Sequence, residues 1–153
     1  GDVLRLAIPP RHDAAERALD AHPAPIASPP EIPAEGPWTA YPAGPAFLRR
    51  IAAGEAPAAS WLALPGQAPE TDWPRALAVA GATAAAAGRG ALLVVPDQRD
   101  LVRVEAELST ILGVGRYVRL TAEQGPQARY TAWLKALRGQ VRVVVGTRPP
   151  APA

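Results

Sequence analysis

The stretch Gly90-Ala-Leu-Leu-Val-Val-Pro96 decides the fold, because an apolar run between a glycine and a proline predicts a short buried strand. The strand is apolar on both faces, which is typical of a central parallel strand covered by helices. Apolar residues recur at helical spacing on both sides of it, over residues 73–87 and 97–112. The sequence therefore predicts strands and helices that alternate outward from this stretch.

The same alternation continues in both directions. Further strands are predicted at 59–64, 116–121 and 141–145, and a third helix begins near Gly125-Pro126 and ends at Gly139. Four strands and three helices in strict order predict a three-layer α/β domain with a parallel sheet and right-handed crossovers. The third helix should bury the stripe Tyr130, Trp133, Leu134 and Leu137.

Three parts of the chain differ in composition. Residues 20–45 contain eight of the nineteen prolines, which predicts an extended linker with little packed core. We therefore divide the chain into residues 1–19, the linker 20–45, and the α/β part 46–153.

The composition excludes several kinds of site. The 153-residue chain has no cysteine, so a disulfide framework and a thiolate zinc site are both ruled out within these residues. Its net charge of +2 permits nucleic-acid binding but does not demand it. Its apolar runs are far shorter than the roughly 18 residues of a membrane-spanning helix, and we expect a cytoplasmic location without membrane contact. His12 and His22 lack further ligands at metal spacing and are expected at the surface. Because there is no methionine, we expect the chain to be part of a longer protein.

The connection after the first predicted strand is where a nucleotide loop would lie. A working loop, G-x-x-x-x-G-K-[ST], holds phosphates with glycine-freed amides, a lysine and a hydroxyl. Here Leu64-Pro65-Gly66-Gln67 has one glycine and no lysine, and Pro65 and Pro69 each remove an amide donor. Glu70 and Asp72 put negative charge where phosphate would lie. We therefore expect no ATP hydrolysis by this segment.

Three stretches resemble consecutive motifs of one family. They are Val94-Val-Pro-Asp-Gln-Arg-Asp-Leu101, Tyr130-Thr-Ala-Trp-Leu-Lys-Ala-Leu-Arg-Gly139 and Val143-Val-Val-Gly-Thr-Arg148. They are similar to the first motor lobe of the primosomal protein N′ (PriA) replication-restart helicases, in the divergent branch of high-GC bacteria whose nucleotide loop is degraded. The resemblance implies a partial RecA-like P-loop NTPase fold for 46–153, and the end of an N-terminal DNA-binding domain for 1–19.

The resemblance also implies contacts to the backbone of single-stranded DNA. Pro96, Gln98 and Arg99 would form one contact, and the turn Gly146-Thr147-Arg148 would form the second. A glycine that exposes amides, a threonine hydroxyl and a guanidinium all suit phosphate oxygens. The residues alone leave alternatives open, because Asp97 or Gln98 can simply begin a helix and Thr147-Arg148 can be a polar strand end.

The function expected from the resemblance is DNA binding in replication restart, with single-stranded or forked DNA and primosome proteins as partners, close to the nucleoid. ATP and magnesium are nominal for the family, and its acidic magnesium box and zinc-binding cysteines would lie beyond Arg148. No cofactor is therefore expected within these residues. Two alternatives remain open: an ATP-dependent helicase with an unconventional nucleotide site, and an α/β domain without nucleic-acid function.

Overall fold

A computed structural model describes residues 8–66 and 68–148 of the protein, which form five α-helices, three β-strands and two short 3-10 helices. The α-helices are α1 (Asp13–Ala21), α2 (Gly44–Ala52), α3 (Trp73–Ala86), α4 (Gln98–Leu112) and α5 (Pro126–Leu137). The strands are β1 (Ala91–Val95), β2 (Tyr117–Leu120) and β3 (Val143–Thr147), and the 3-10 helices are Gly36–Ala40 and Pro69–Thr71. No helix in the described ranges is long and apolar enough to cross a membrane.

The three strands form one parallel sheet in the order β1-β3-β2. Val143 at the start of β3 pairs with Ala91 on one side and Tyr117 on the other. The connection through α4 therefore passes over β3, and the connection through α5 returns to it. Because such crossovers are almost always right-handed, the two helices lie on opposite faces of the sheet. The α/β class and the parallel sheet agree with the prediction from sequence.

The main hydrophobic core lies between the sheet and the pair α3 and α4. Leu93 and Val95 of β1 point into it beside two residues of β3, Val143 and Val145, and both β3 residues are completely buried. Helix α4 contributes Leu101, Val104 and Leu108, the stripe that its helical spacing predicts. This packing fixes the first turns of α3 and α4 relative to the strand ends.

A second cluster surrounds Trp38, inside the tract that was predicted to have little packed core. The Trp38 side chain is buried, and its Nε1–H donates to the carbonyl of Ala76 on α3 over 2.7 Å. The Trp61 ring lies 4.9 Å from the Trp38 ring, measured between centroids. The expectation of little core is thus wrong at Trp38, because proline content does not prevent one large aromatic residue from packing on a neighbouring helix.

The predicted strand at 59–64 is wrong. These residues have no regular secondary structure, and Leu62 and Leu64 are exposed. No neighbouring strand pairs with them in the described part of the chain, and Trp61 packs into the Trp38 cluster instead. The sheet accordingly has three strands in these ranges, where four were expected.

The expectation that β1 is a central strand covered on both faces is also wrong. β1 lies at the edge of the described sheet, with β3 as its neighbour. Its alternate side chains Leu92 and Val94 are 68% and 55% exposed, on the face away from the main core. Likewise Leu137, predicted in the buried stripe of α5, is exposed, because it lies in the last turn of that helix.

Helix α1 packs against α5 at the far side of the molecule. Ala15 of α1 is buried against Tyr130 and Leu134. Trp133, predicted in the buried stripe of α5, is half-buried at the margin of the same cluster. The His12 imidazole caps α1 by accepting a hydrogen bond from the Ala15 amide over 3.3 Å. The packing of Ala15 against Tyr130 and Leu134 ties α1 to the α/β part of the chain.

Candidate functional site: the carboxyl edge of the sheet and the adjoining loop

The two segments expected to contact DNA meet at the carboxyl edge of the sheet. β1 and β3 are parallel neighbours, and Val95 pairs with Thr147 at their ends. The Arg148 amide donates to the Val95 carbonyl over 3.2 Å, which extends the pairing by one step. The segment 96–99 therefore begins beside residues 147 and 148, although some fifty positions separate the two in sequence.

The side chains at this edge include two cations that no carboxylate in the described part of the chain neutralises. Arg99 and Arg148 are exposed, and neither forms an ion pair with any residue in the described ranges. Pro96 and Gln98 are exposed next to Arg99, while Thr147 is half-buried. The edge can thus present two guanidinium groups to an anionic ligand.

Asp97 has a structural role at this edge. Its carboxylate accepts a hydrogen bond from the Asp100 amide over 2.9 Å and caps α4, which begins at Gln98. Asp97 and Gln98 therefore do begin a helix, as one of the interpretations left open by the sequence expected. Because an N-terminal helix end carries a partial positive charge, Asp97 offsets part of what this end could offer a phosphate.

Gly146 does not lie in a turn, contrary to the expectation. It is a buried residue of β3, paired with Val94 on one side and Leu120 on the other. A Cβ atom at this position would lie 2.4 Å from the Leu120 carbonyl oxygen, far inside contact distance. Glycine is required here for the close approach of β2 and β3, which explains its presence without any ligand.

The loop that precedes α3 uses its own amide groups internally. The Leu64 amide donates to the Tyr41 hydroxyl over 2.9 Å, and the Ala68 amide lies 3.4 Å from the Thr71 hydroxyl oxygen. The amides of Thr71 and Asp72 donate to carbonyls within the loop. Pro65, Pro69 and Pro74 have no amide hydrogen to offer. Gln67, the fourth residue of the predicted degenerate loop, lies outside the described residues.

The Asp72 carboxylate occupies the centre of this loop. One oxygen accepts from the amides of Gly66 over 3.1 Å and Trp73 over 2.8 Å, and the other accepts from the Arg103 guanidinium over 2.5 Å. These are the donor types, two amides and a cation, that a phosphate would require. An internal carboxylate therefore already occupies the donors that a bound phosphate would need in this loop.

The same contacts set the charge state of Asp72. Burial by itself would raise the pKa of the Asp72 carboxyl, but the hydrogen bonds from the Gly66 and Trp73 amides and the contacts with Arg103 together outweigh it. Arg103 acts in the same direction, and the pKa ends below its ordinary value. Asp72 is accordingly an anion at neutral pH and keeps its two amides and Arg103 engaged.

A Cβ atom at Gly66 would lie 2.5 Å from the Asp72 nitrogen, so the loop backbone rests directly on the start of α3. A cleft of about 310 Å³ remains beside it. It is lined by Gly66, Ala68, Pro69, Asp72, Pro74, Arg103 and Glu107. The lining contains two carboxylates, from Asp72 and Glu107, as well as the Arg103 guanidinium. Glu107 forms an ion pair with Arg75. This lining does not favour a polyphosphate.

Helix α4 connects the loop and the sheet edge. Arg99 lies in its first turn, and Arg103, one turn later, binds Asp72 and lies over the Trp73 ring at 5.3 Å. Sequence reasoning missed Arg103, because its partner is 31 positions away and no local motif marks it. Across the described ranges, no group of three or more His, Asp or Glu side chains is arranged to hold a metal ion.

Comparison with known proteins confirms the resemblance inferred from the motifs. The chain is 42% identical over 148 residues to a protein of Mycobacterium tuberculosis named "Probable replication restart protein PriA", and equally to the protein of that name in Mycobacterium bovis. The Mycobacterium leprae protein of the same name is 43% identical over 150 residues. Each alignment covers 96% of this chain and 22% of the relative, so the chain spans about a fifth of their length. No protein-family profile and no solved structure matches the chain.

Proposed function

We propose that this relative of the mycobacterial PriA proteins binds DNA in replication restart, and that it does so without hydrolysing ATP itself. A role in replication restart is supported by the names of the relatives. DNA binding, the missing ATPase activity, the RecA-like identity of the α/β part and the cytoplasmic, nucleoid-associated location are all parts of the proposal.

The observation that carries DNA binding is the meeting of the two predicted segments at one sheet edge. Arg148 follows Thr147, which pairs with Val95, and the segment containing Arg99 begins directly after Val95. Guanidinium groups without a carboxylate partner suit phosphate oxygens, which they can bind through two parallel hydrogen bonds. Such contacts position a strand without reading its bases, so binding should be independent of sequence and sensitive to salt.

The residues of the degenerate loop do not fit ATP and magnesium. The Gly66 and Trp73 amides and the Arg103 guanidinium are already bound to the Asp72 carboxylate. A nucleotide phosphate would have to displace that carboxylate and remain close to it, at a high electrostatic cost. The loop also lacks the lysine and the magnesium-binding hydroxyl that follow the second glycine of a working motif.

The test is fluorescence anisotropy of a labelled single-stranded oligonucleotide titrated with the chain between about 50 and 200 mM salt, the range over which phosphate contacts strongly change affinity. The double variant Arg99→Gln, Arg148→Gln should bind more weakly. For two lost phosphate contacts, the slope of log affinity against log salt should become shallower by about 1.4, at about 0.7 per contact to a single strand.

The matched control is Arg11→Gln, Arg50→Gln, which removes the same charge from arginines that are paired with Glu16 and Glu55. It should leave the slope nearly unchanged. If both double variants weaken binding equally, the carboxyl edge of the sheet has no special role, and the loss of net positive charge explains the weaker binding. If the unmodified, folded chain does not bind DNA at all, the proposed function is wrong.

A further inference from the structure

A second group of arginines lies at the amino-terminal ends of the three strands, opposite the carboxyl edge that contains Arg99 and Arg148. Arg89 lies two positions before β1. Arg116 lies one position before β2, and Arg142 lies one position before β3. Because the strands are parallel and in the order β1-β3-β2, Arg142 comes between the other two at these strand ends. Adjacent strands are about 4.8 Å apart, so the three strand starts span about 10 Å.

Backbone carbonyls hold the three side chains in place. Arg142 donates from Nη1 to the Gly88 carbonyl over 2.7 Å and from Nε to the Ala27 carbonyl over 3.3 Å. Arg116 donates from Nη2 to the Ser28 carbonyl over 2.8 Å. These bonds connect the cluster through neighbouring residues, because Gly88 precedes Arg89 and Ala27 precedes Ser28.

Arg89 completes the cluster by donating from Nη1 to the Gly54 carbonyl over 2.7 Å. None of the three arginines forms an ion pair with a carboxylate within residues 8–66 and 68–148. Neutral carbonyls therefore orient three full positive charges without cancelling them. Six other arginines in these ranges do pair with carboxylates: Arg11, Arg50, Arg75, Arg103, Arg119 and Arg138.

We infer that this cluster is a second binding surface for the phosphate backbone of nucleic acid, separate from the carboxyl edge. A guanidinium has five N–H donors, and the carbonyl contacts of each of these arginines use only some of them. The remaining donors can bind phosphate oxygens while the carbonyls keep the group oriented. Side chains held in advance lose less conformational entropy when a ligand binds.

The two edges are far enough apart to act separately. Arg142 directly precedes β3 and Arg148 directly follows it. Because a strand of five residues is about 16 Å long at about 3.3 Å per residue, these two residues lie at least that far apart along the backbone. That distance exceeds the screening length of about 8 Å at physiological salt. The inference rests on the proposed function, since it assigns a second surface for the same ligand class.

The test uses the same oligonucleotide and salt series with the triple variant Arg89→Gln, Arg116→Gln, Arg142→Gln. Its slope of log affinity against log salt should be shallower by about 2, for three lost contacts at about 0.7 each. A second triple variant with lysine at the three positions loses the planar hydrogen-bonding group but keeps the charge. It should retain most of the slope, and far-ultraviolet circular dichroism should show that both variants are folded.

The control replaces Arg11, Arg50 and Arg138 with glutamine, which removes three charges that are already paired with carboxylates. A triple variant at the strand starts that behaves like this control overturns the inference, while an effect of Arg99 and Arg148 leaves the proposed function in place. Absence of DNA binding by the unmodified chain overturns both. If the cluster is needed to bind labelled polyglutamate but not DNA, its ligand is an acidic peptide and the inference is also wrong.

Discussion

Replacing Asp72 by alanine should cost the protein about 2 kcal/mol of unfolding free energy. The Trp73 amide loses the side-chain acceptor that caps α3, worth about 1 kcal/mol. The Gly66 amide loses its acceptor, worth about another 0.5–1 kcal/mol. The ion pair with Arg103 adds about 0.5 kcal/mol, a modest value because 43% of the Arg103 side chain is exposed.

The assay is urea unfolding at pH 7, followed by far-ultraviolet circular dichroism. With a denaturant dependence of about 2 kcal/mol per molar urea for a small domain, the midpoint should fall by about 1 M. The control is Glu70→Ala, which removes a neighbouring exposed carboxylate with no ion pair in the described ranges. If Asp72→Ala shifts the midpoint no more than this control does, the carboxylate does not hold the loop before α3, and the argument that it blocks a bound phosphate there is wrong.

Two further predictions concern the same part of the molecule. The lowered pKa of Asp72 contributes stability above the unfolded-state value of about 3.9 and loses it as pH falls toward the folded value. The urea midpoints of the unmodified chain and Asp72→Asn should therefore converge below about pH 4, and a gap that is constant with pH would contradict this. Gly146→Ala should destabilise the fold by about 2 kcal/mol in the same assay, because its Cβ would lie 2.4 Å from the Leu120 carbonyl oxygen. Gly125→Ala, where an added Cβ has no neighbour within 4 Å, is the control and should have little effect.

Local patterns were sufficient to predict the elements from Trp73 to Thr147. Helices α3 and α4 end where Gly88 and Gly113 adopt positive φ angles of 76° and 88°, a conformation that favours glycine. The apolar spacing of Leu101, Val104 and Leu108 located the buried face of α4 correctly. Such signals lie within one turn or one strand, so a single sequence contains them.

Features that depend on distant partners could not be predicted in this way. The apolar run at 59–64 has the pattern of a strand, but a strand also needs a neighbour, and Trp61 packs on Trp38 instead. The apolar pattern of β1 does not distinguish a central strand from an edge strand, so the exposure of Leu92 was missed. At the site, the sequence identified the negative charge of Asp72, while its bond to Arg103 depends on how α3 and α4 pack.

The most direct test of the account is the affinity of the chain for labelled single-stranded DNA, measured by anisotropy across a series of ATP and magnesium concentrations at constant ionic strength. Because Asp72 occupies the loop and the proposed DNA contacts lie at the carboxyl edge of the sheet, we predict the same binding curve with ATP as with an equal concentration of inorganic triphosphate, which competes for the same arginines. A larger shift with ATP than with inorganic triphosphate would contradict the account, since it would require a site that recognises the nucleotide. Absence of DNA binding at low salt would contradict it equally.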